Sequence, residues 1–484
     1  MKYTGILIML LNANLYAQNF TNNWYFGDSA ALNFSSGIPE PIEGSQLVSR
    51  EACCSISDSS GNLMFYSSSY TVWNINNEIM VNGEHLGGSE LGNYPSTITN
   101  GCVVLQKPLS KNLYYIFISD GQKLIYSIID MNLNGGDGEV ISKNQLLIDT
   151  LAGEKIAAAK HANGRDWWIF IHETISSNFI KFLITPYMIE GPYIQSIGKD
   201  YNLLLNPIGE MLFSQQGDKL ISVTASGIID LFDFDRCSGE LSNWIDLRNI
   251  DINEAYGASF SSDGCYIYLS KYNEPSQIYQ FNLCRSDIIE SRILIFENPF
   301  PDYFIGQHQL GPDNKIYIPF SYKMAPSDIY ELQNMNLNVI NNPDANGLDC
   351  LFDTANISLG GHKSLLGLPN FPNYNLGALA GSECDTIIAG INHIDKVPDE
   401  INIYPNPASN TINILMPAKY LSESQGDLNI TIYNNIGQLV KEIHLNNISE
   451  IISFNIDELS SGFYTIRLMQ KSSLISSENF SIIK

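Results

Sequence analysis

Asp130, Asn132 and Asn134 alternate with apolar residues in the run Asp130-Met131-Asn132-Leu133-Asn134-Gly135-Gly136-Asp137-Gly138-Glu139. This D-x-N-x-N-G spacing is that of the start of a calcium loop, where oxygens two residues apart wrap one hard cation. A twelve-residue loop of that kind needs a bidentate acid at position 141, and the chain has Ile141. A glycine-rich turn after a strand explains the same residues. Asp130, Asn132, Asn134 and Asp137 therefore stand as a calcium alternative, and no other cofactor is expected. His161, His308 and His362 fall near starts or connections of repeats, and without fixed spacing they read as hydrogen-bonded structural histidines. Glu51, Asp58 and Asp120 are scattered, so sequence alone pairs no carboxylates at glycosidase separation. GxSxG, HExxH, P-loop and dinucleotide fingerprints are missing from the sequence, so no catalytic residue is assigned and a non-enzyme is favoured.

The elements that would position such residues come from an internal repeat. A turn rich in Asp, Asn, Ser and Gly precedes an apolar strand at Asp58–Tyr66, Ser110–Phe117, Ala162–Phe170, Gln216–Val223, Ser262–Leu269 and Pro312–Ile318. Copies lie about 50 residues apart, the length of a four-stranded propeller blade. A further strand with period-two alternation follows, as in Leu124–Asp130, Phe179–Ile184, Ile228–Phe234 and Ile278–Leu283. Runs of smaller residues precede the turns, at Cys53–Ile56, Gly101–Val104, Ile156–Ala159, Met211–Ser214, Gly257–Phe260 and Ile305–His308, and suit innermost strands where blades converge. A seventh run, Ser364–Leu368, lacks its turn, and the N-terminal Trp24–Phe34 lacks its inner run. Together they complete one another and close a ring. The expected fold is all-β: a seven-bladed β-propeller followed by a small Ig-like β-sandwich.

The 484-residue chain has 44% hydrophobic and 11% aromatic residues, including 26 Tyr and 22 Phe, a globular composition inclined to strands. A formal charge of −25 excludes nucleic acid as an expected partner and favours solubility. Lys2, the apolar Ile6–Leu11 and the small Ala17 form a secretory signal. Its apolar run is too short for the roughly 20 residues of a membrane span, and no transmembrane segment is expected. Export permits disulfides among the eight cysteines. No CxxC pair occurs, and isolated thiols and one or two bridges are both open. A Cys237–Cys284 bridge is not expected, because equivalent positions in neighbouring blades are judged too far apart. The organisation read is signal peptide 1–17, propeller 18–376, linker 377–400 and C-terminal domain 401–484.

Three ordered elements mark the C-terminal domain: Tyr404-Pro405-Asn406-Pro407, the Tyr433-Asn434-Asn435-Ile436-Gly437-Gln438 turn, and Leu459-Ser460-Ser461-Gly462-Phe463-Tyr464. They resemble the type A C-terminal sorting domain of the type IX secretion system of Bacteroidota. The resemblance implies sorting-motif roles for Tyr404, Pro405, Asn406, Pro407, Gly437, Leu459, Gly462 and Tyr464. It also implies the type IX machinery as partner, and passage through the periplasm and across the outer membrane to the cell surface or the medium. Asn23–Gly27, Ser57–Tyr66, Thr71–Asn74, His161–Gly164 and Leu366–Phe371 resemble the propeller-like domains of large Bacteroidota surface proteins, some with gliding-motility-associated C-termini. The function expected is an exported surface or released binding or adhesion protein with a glycan or protein ligand. The alternatives are a polysaccharide hydrolase or lyase at the central opening and a structural component of the surface or gliding apparatus.

Overall fold

The computed structural model describes residues 19–87, 90–91, 94–95, 98–149, 152–201, 208–248, 252, 254–271, 273–323, 328–385, 401–406, 408–416, 428–434, 437–445, 451–470 and 473–482. The signal segment lies outside these residues. The chain divides into two compact units, one running to Lys181 and from Tyr193 to Ser382, the other made of Phe182–Pro192 and Glu383–Lys484. Among the described residues no helix is long and apolar enough to cross a membrane.

Antiparallel meanders follow one another along residues 23–358. Cys102–Gln106, Leu113–Ser119, Lys123–Asp130 and Glu139–Asp149 form one four-stranded sheet in chain order. Further four-stranded sheets run from Ala152–Lys160 to Ile189–Ser196, from Met211–Phe213 to Leu241–Asp246, and from Ala255–Phe260 to Ile293–Glu297. In the next, Tyr303–Ile305 and Gln309–Leu310 both pair with Ile316–Tyr322, which is followed by Asn336–Ile340 and Phe352–Ser358. Nearer the N-terminus, three-stranded sheets hold Asn23–Phe26, Ala30–Asn33 and Glu40–Pro41, then Cys54–Ser57, Leu63–Ser67 and Val72–Asn74. The repeated turns behave as their composition dictates. Asp58 Oδ1 accepts from the backbone N–H groups of Ser60 (2.8 Å) and Asn62 (2.9 Å), while Gly61 takes φ +90°. In the sheet that begins at Cys102 the strand after the turn is the best buried: all seven residues of Leu113–Ser119 are buried.

The last run closes on the first strands as the sequence suggests. The Asp28 N–H donates to the Lys363 carbonyl at 3.0 Å. Ser364–Leu368 lies between two other inner runs, since Gln307 N–H donates to the Leu366 carbonyl and Gly367 N–H to the Arg50 carbonyl, both at 2.9 Å. A Cβ on Gly367 would stand 1.9 Å from the Glu51 carbonyl oxygen, so only glycine fits. Trp24, Phe26, Leu32, Tyr317, Leu337 and Leu368 share one core, joining N-terminal and C-terminal strands of this unit.

Of the two cysteine arrangements the sequence leaves open, the described residues show bridges. Cys54 and Cys102 are bridged with Cα atoms 6.1 Å apart, and Cys265 and Cys284 with Cα atoms 5.1 Å apart. The first pair joins equivalent inner strands of neighbouring sheets, where convergence brings backbones within bridging reach. Cys284 is therefore not the partner of Cys237. Cys53 and Cys350 are buried free thiols.

In the second unit, Asn402–Tyr404, Thr411–Leu415 and Ile451–Asn455 form one sheet. Leu439–Leu445, Leu428–Asn434, Gly462–Gln470 and Ser473–Ile482 form the other, in that spatial order. Alternating side chains of both, among them Ile412, Ile414, Ile430, Ile432, Ile466 and Leu468, bury one core.

Candidate functional site

The inner strands of the first unit converge on an axis, and the chain's own residues 366–378 run along it. Asn370 Nδ2 donates to the Ile156 carbonyl at 2.9 Å, and its N–H to the Cys53 carbonyl at 3.2 Å. Asn373 Nδ2 donates to the Gln215 carbonyl at 2.7 Å. The buried Tyr374 hydroxyl donates to the Val104 carbonyl at 2.7 Å, with its ring against Phe20 and Trp167. Arg236 Nη2 donates to the Gly377 carbonyl at 2.6 Å, and Leu379 N–H to the Ala162 carbonyl at 2.8 Å. One segment thus touches an inner strand or turn of most of the sheets. The sequence places residues up to 376 in the propeller but gives Asn370, Asn373 and Tyr374 no role; the aromatic Phe371 and Tyr374 in a short polar run are the available signal.

Three acids sit around the start of the inner strands, each engaged by the protein. Glu51 accepts from the Tyr256 hydroxyl at 2.6 Å. Burial pushes its carboxyl up to about 8, with the Tyr256 bond opposing and Glu154 adding to the rise. Glu210 Oε2 accepts from the backbone N–H groups of Ala258 (2.6 Å) and His308 (3.0 Å), so one carboxyl group ties three successive sheets. Burial raises it to about 8 as well, against those two bonds. Glu154 Oε2 accepts from Thr99 N–H at 3.1 Å and is raised, mainly by burial. Beside them Lys155 Nζ is buried and donates to the Val223 carbonyl (2.9 Å), Ser222 Oγ (3.1 Å) and the Tyr201 hydroxyl (3.2 Å). Burial pulls it down to about 7. None of these groups was singled out from sequence except Glu51.

The three histidines do not come together in one constellation. His161 Nε2 meets the Cys237 carbonyl at 3.1 Å while its Nδ1 accepts from Asn163 N–H. His362 Nε2 lies 3.1 Å from Glu43 Oε2 at the surface. His308 lies on the axis, and burial pushes it down to about 3, the Tyr268 backbone opposing. Asp58 and Asp120 each cap a turn, Asp120 Oδ1 accepting from Gln122 N–H at 2.9 Å and Lys123 N–H at 2.7 Å.

In the run from Asp130 the side-chain oxygens accept from protein donors. Asp130 Oδ1 accepts from Asn132 N–H at 2.9 Å, Asn132 Oδ1 from Asn112 Nδ2 at 2.7 Å, and Asp137 Oδ1 from Asn76 Nδ2 at 3.1 Å. Asn134 Nδ2 donates to the Gly138 carbonyl at 3.0 Å. Among the described residues no three His, Cys, Asp or Glu side chains gather where a metal ion could be held.

Three motif residues of the C-terminal unit build its interior. Tyr404, Leu459 and Tyr464 are buried, the Tyr464 ring stacking on Phe480 and its hydroxyl donating to the Ser460 carbonyl at 2.8 Å. Asn406 follows Pro405 at the surface and holds the last strand: its Oδ1 accepts from Ser481 N–H at 2.9 Å and its Nδ2 donates to the Asn479 carbonyl at 3.2 Å. Gly437 takes φ +77° in the hairpin turn, and Gly462 opens the strand Gly462–Gln470. Pro407 lies outside the described residues.

These sheets define a β-propeller joined to a small two-sheet β-domain. Residues 402–483 match the model of the secretion system C-terminal sorting domain. That domain belongs to type IX secretion and marks the protein for export to the cell surface or beyond. No curated protein matches the chain. Among solved structures it is similar to the β-propeller domain of Cps50 (Swd1) from Myceliophteria thermophila, at 11% identity over 63% of this chain and 94% of that one, with a TM-score of 0.37. TolB from Acinetobacter baumannii is similar at 12% identity over 63% of each chain, with a TM-score of 0.32. Hsv2 from Kluyveromyces lactis is similar at 11% identity over 66% and 92%, also with a TM-score of 0.32.

Proposed function

We propose that this chain is an exported binding or adhesion protein. Its propeller recognises an extracellular ligand with its loop faces, and its C-terminal domain engages the type IX machinery. The carrying observation is the axial segment. Where an enzyme of this architecture would gather acids and bases around an opening, Asn370, Asn373 and Tyr374 are hydrogen-bonded to the inner strands. Glu51 and Glu210 are also buried on protein donors. A rigid scaffold presenting loops is then left as the working surface. The succession of sheets, with Ser364–Leu368 completing the N-terminal one, supports seven blades. The test is to place the mature full-length protein on a glycan array while assaying the same polysaccharides for new reducing ends. Retention without release of reducing ends is expected. Catalytic release of reducing ends would overturn the reading in favour of a hydrolase.

A further inference from the structure

The opening at one end of the axis is lined by carboxamides. Asn19, Asn22, Gln215, Gln309, Asn314 and Asn373 face a cavity of about 160 Å³. Among the described residues no Asp, Glu, Lys, Arg or His contributes to its wall, in a chain of net charge −25. Gln215 gives Asn373 its backbone carbonyl, and Gln309 Nε2 reaches only the adjacent Leu310 carbonyl at 3.1 Å. Most of the amide hydrogen-bonding capacity of these two side chains is thus not taken up by the fold. Phe371 lines this mouth and also a deeper cavity of about 40 Å³ that continues along the axis. That inner space is bounded by His308, which is 2% exposed. It is large enough for a bridging water.

We propose that this mouth is a subsite for a single residue of a neutral saccharide, which rests on the binding reading above and specifies its ligand. The carboxamides of Gln215 and Gln309 each offer a donor group and an acceptor, the complement of hydroxyl groups that both give and accept hydrogen bonds. A charge-free wall has nothing to offset the desolvation of an ionised ligand, so uronates and sulfated sugars are disfavoured. The mouth is smaller than the 300–1,000 Å³ or so of sites that enclose a drug-sized ligand, and it therefore takes the end of a chain, not its middle.

The experiment uses the full-length mature protein. It is screened on an array of neutral and anionic oligosaccharides, and the best neutral binder is titrated calorimetrically. Gln215→Ala, Gln309→Ala and Trp244→Ala variants are compared, each first checked for an unchanged melting temperature. Trp244, 42% exposed on the outer strand Leu241–Asp246, is the control for binding elsewhere. Loss of one amide contact weakens binding about tenfold, and the double Gln215→Ala/Gln309→Ala variant more, with Trp244→Ala unchanged. Neutral-glycan binding that survives both glutamine changes overturns the subsite but leaves the binding reading standing. Retention of anionic glycans or proteins only overturns the saccharide class. Retention of nothing overturns both.

Discussion

The Tyr256 hydroxyl donates to Glu51 Oε1 at 2.6 Å, joining residues 205 apart in the chain across the axis of the propeller. Burial makes this carboxyl prefer its proton despite the Tyr256 bond, and that preference makes the body sensitive to pH. Glu51 and Glu210 are both pushed up to about 8 by burial. Between their unfolded value near 4.5 and about 8, the folded state keeps protons that the unfolded state has lost. Their contribution is therefore complete below about 4.5 and falls as pH rises to about 8. His172 and His308, pushed down to about 3 by burial, act with the opposite sign between about 3 and 6.5. Lys155, lowered to about 7, does so between about 7 and 10.5. Comparing Glu51→Gln with the parent isolates one group: the variant loses less stability between pH 5 and 8. Melting curves at intervals across that range check this, and parallel pH profiles for the two proteins would refute it.

The axial segment is expected to be a major stabilising element. Tyr374→Ala removes a buried ring and the bond to Val104, with a cost of about 3–5 kcal/mol. Tyr374→Phe removes only the hydrogen bond, at about 1 kcal/mol. Gly367→Ala drives a methyl into the Glu51 backbone and costs more than Tyr374→Phe. Urea unfolding of the three variants ranks them, and equal costs would contradict the packing described.

Non-reducing peptide mapping should recover Cys54 linked to Cys102 and Cys265 linked to Cys284. Sequence separations of 48 and 19 correspond to about 4 and about 3 kcal/mol of loop-closure stabilisation. A Cys237–Cys284 peptide would contradict this pairing. Replacing both cysteines of either pair by serine should lower the melting temperature, the first pair more.

Asn406→Ala should loosen the last strand through loss of its bonds to Ser481 and Asn479 and reduce surface delivery, at about 1–3 kcal/mol for the C-terminal unit. Removing residues 396–484 should leave the body in the periplasm. Fractionation of cells expressing each form is the measurement, and normal surface delivery of the truncated form would refute the address role.

Chelation tests the run at Asp130. Its oxygens already accept from Asn132, Asn112 and Asn76, so EDTA is expected to leave the melting temperature unchanged. A fall of several degrees, restored by calcium, would reinstate the cation.

Strands were legible because their signal is local. Asp58, Gly61 and the apolar run after them specify a turn and a buried strand within nine residues, and the copies fall where the repeat places them. The pairing of Asp28 with Lys363 followed from counting incomplete units. The axial site was not legible, because what makes Asn370 and Tyr374 structural lies at Ile156 and Val104, more than 200 residues away. Glu210 looked like any carboxylate between repeats, since its partners are backbone N–H groups on two other sheets. The bridge between Cys54 and Cys102 depends on how closely inner strands approach, which spacing along the chain does not encode.

The segment from Lys363 to Leu379 also sets a clock. It is the last part of the body to leave the ribosome and the inner-membrane channel, yet Asp28 and the strands beside it depend on it for a neighbour. The first strands to emerge therefore wait, edges uncovered, for nearly the whole chain to follow. Such non-local closure is slow, and uncovered edges invite wrong pairing. Periplasmic holding factors would be needed most before Leu379 arrives.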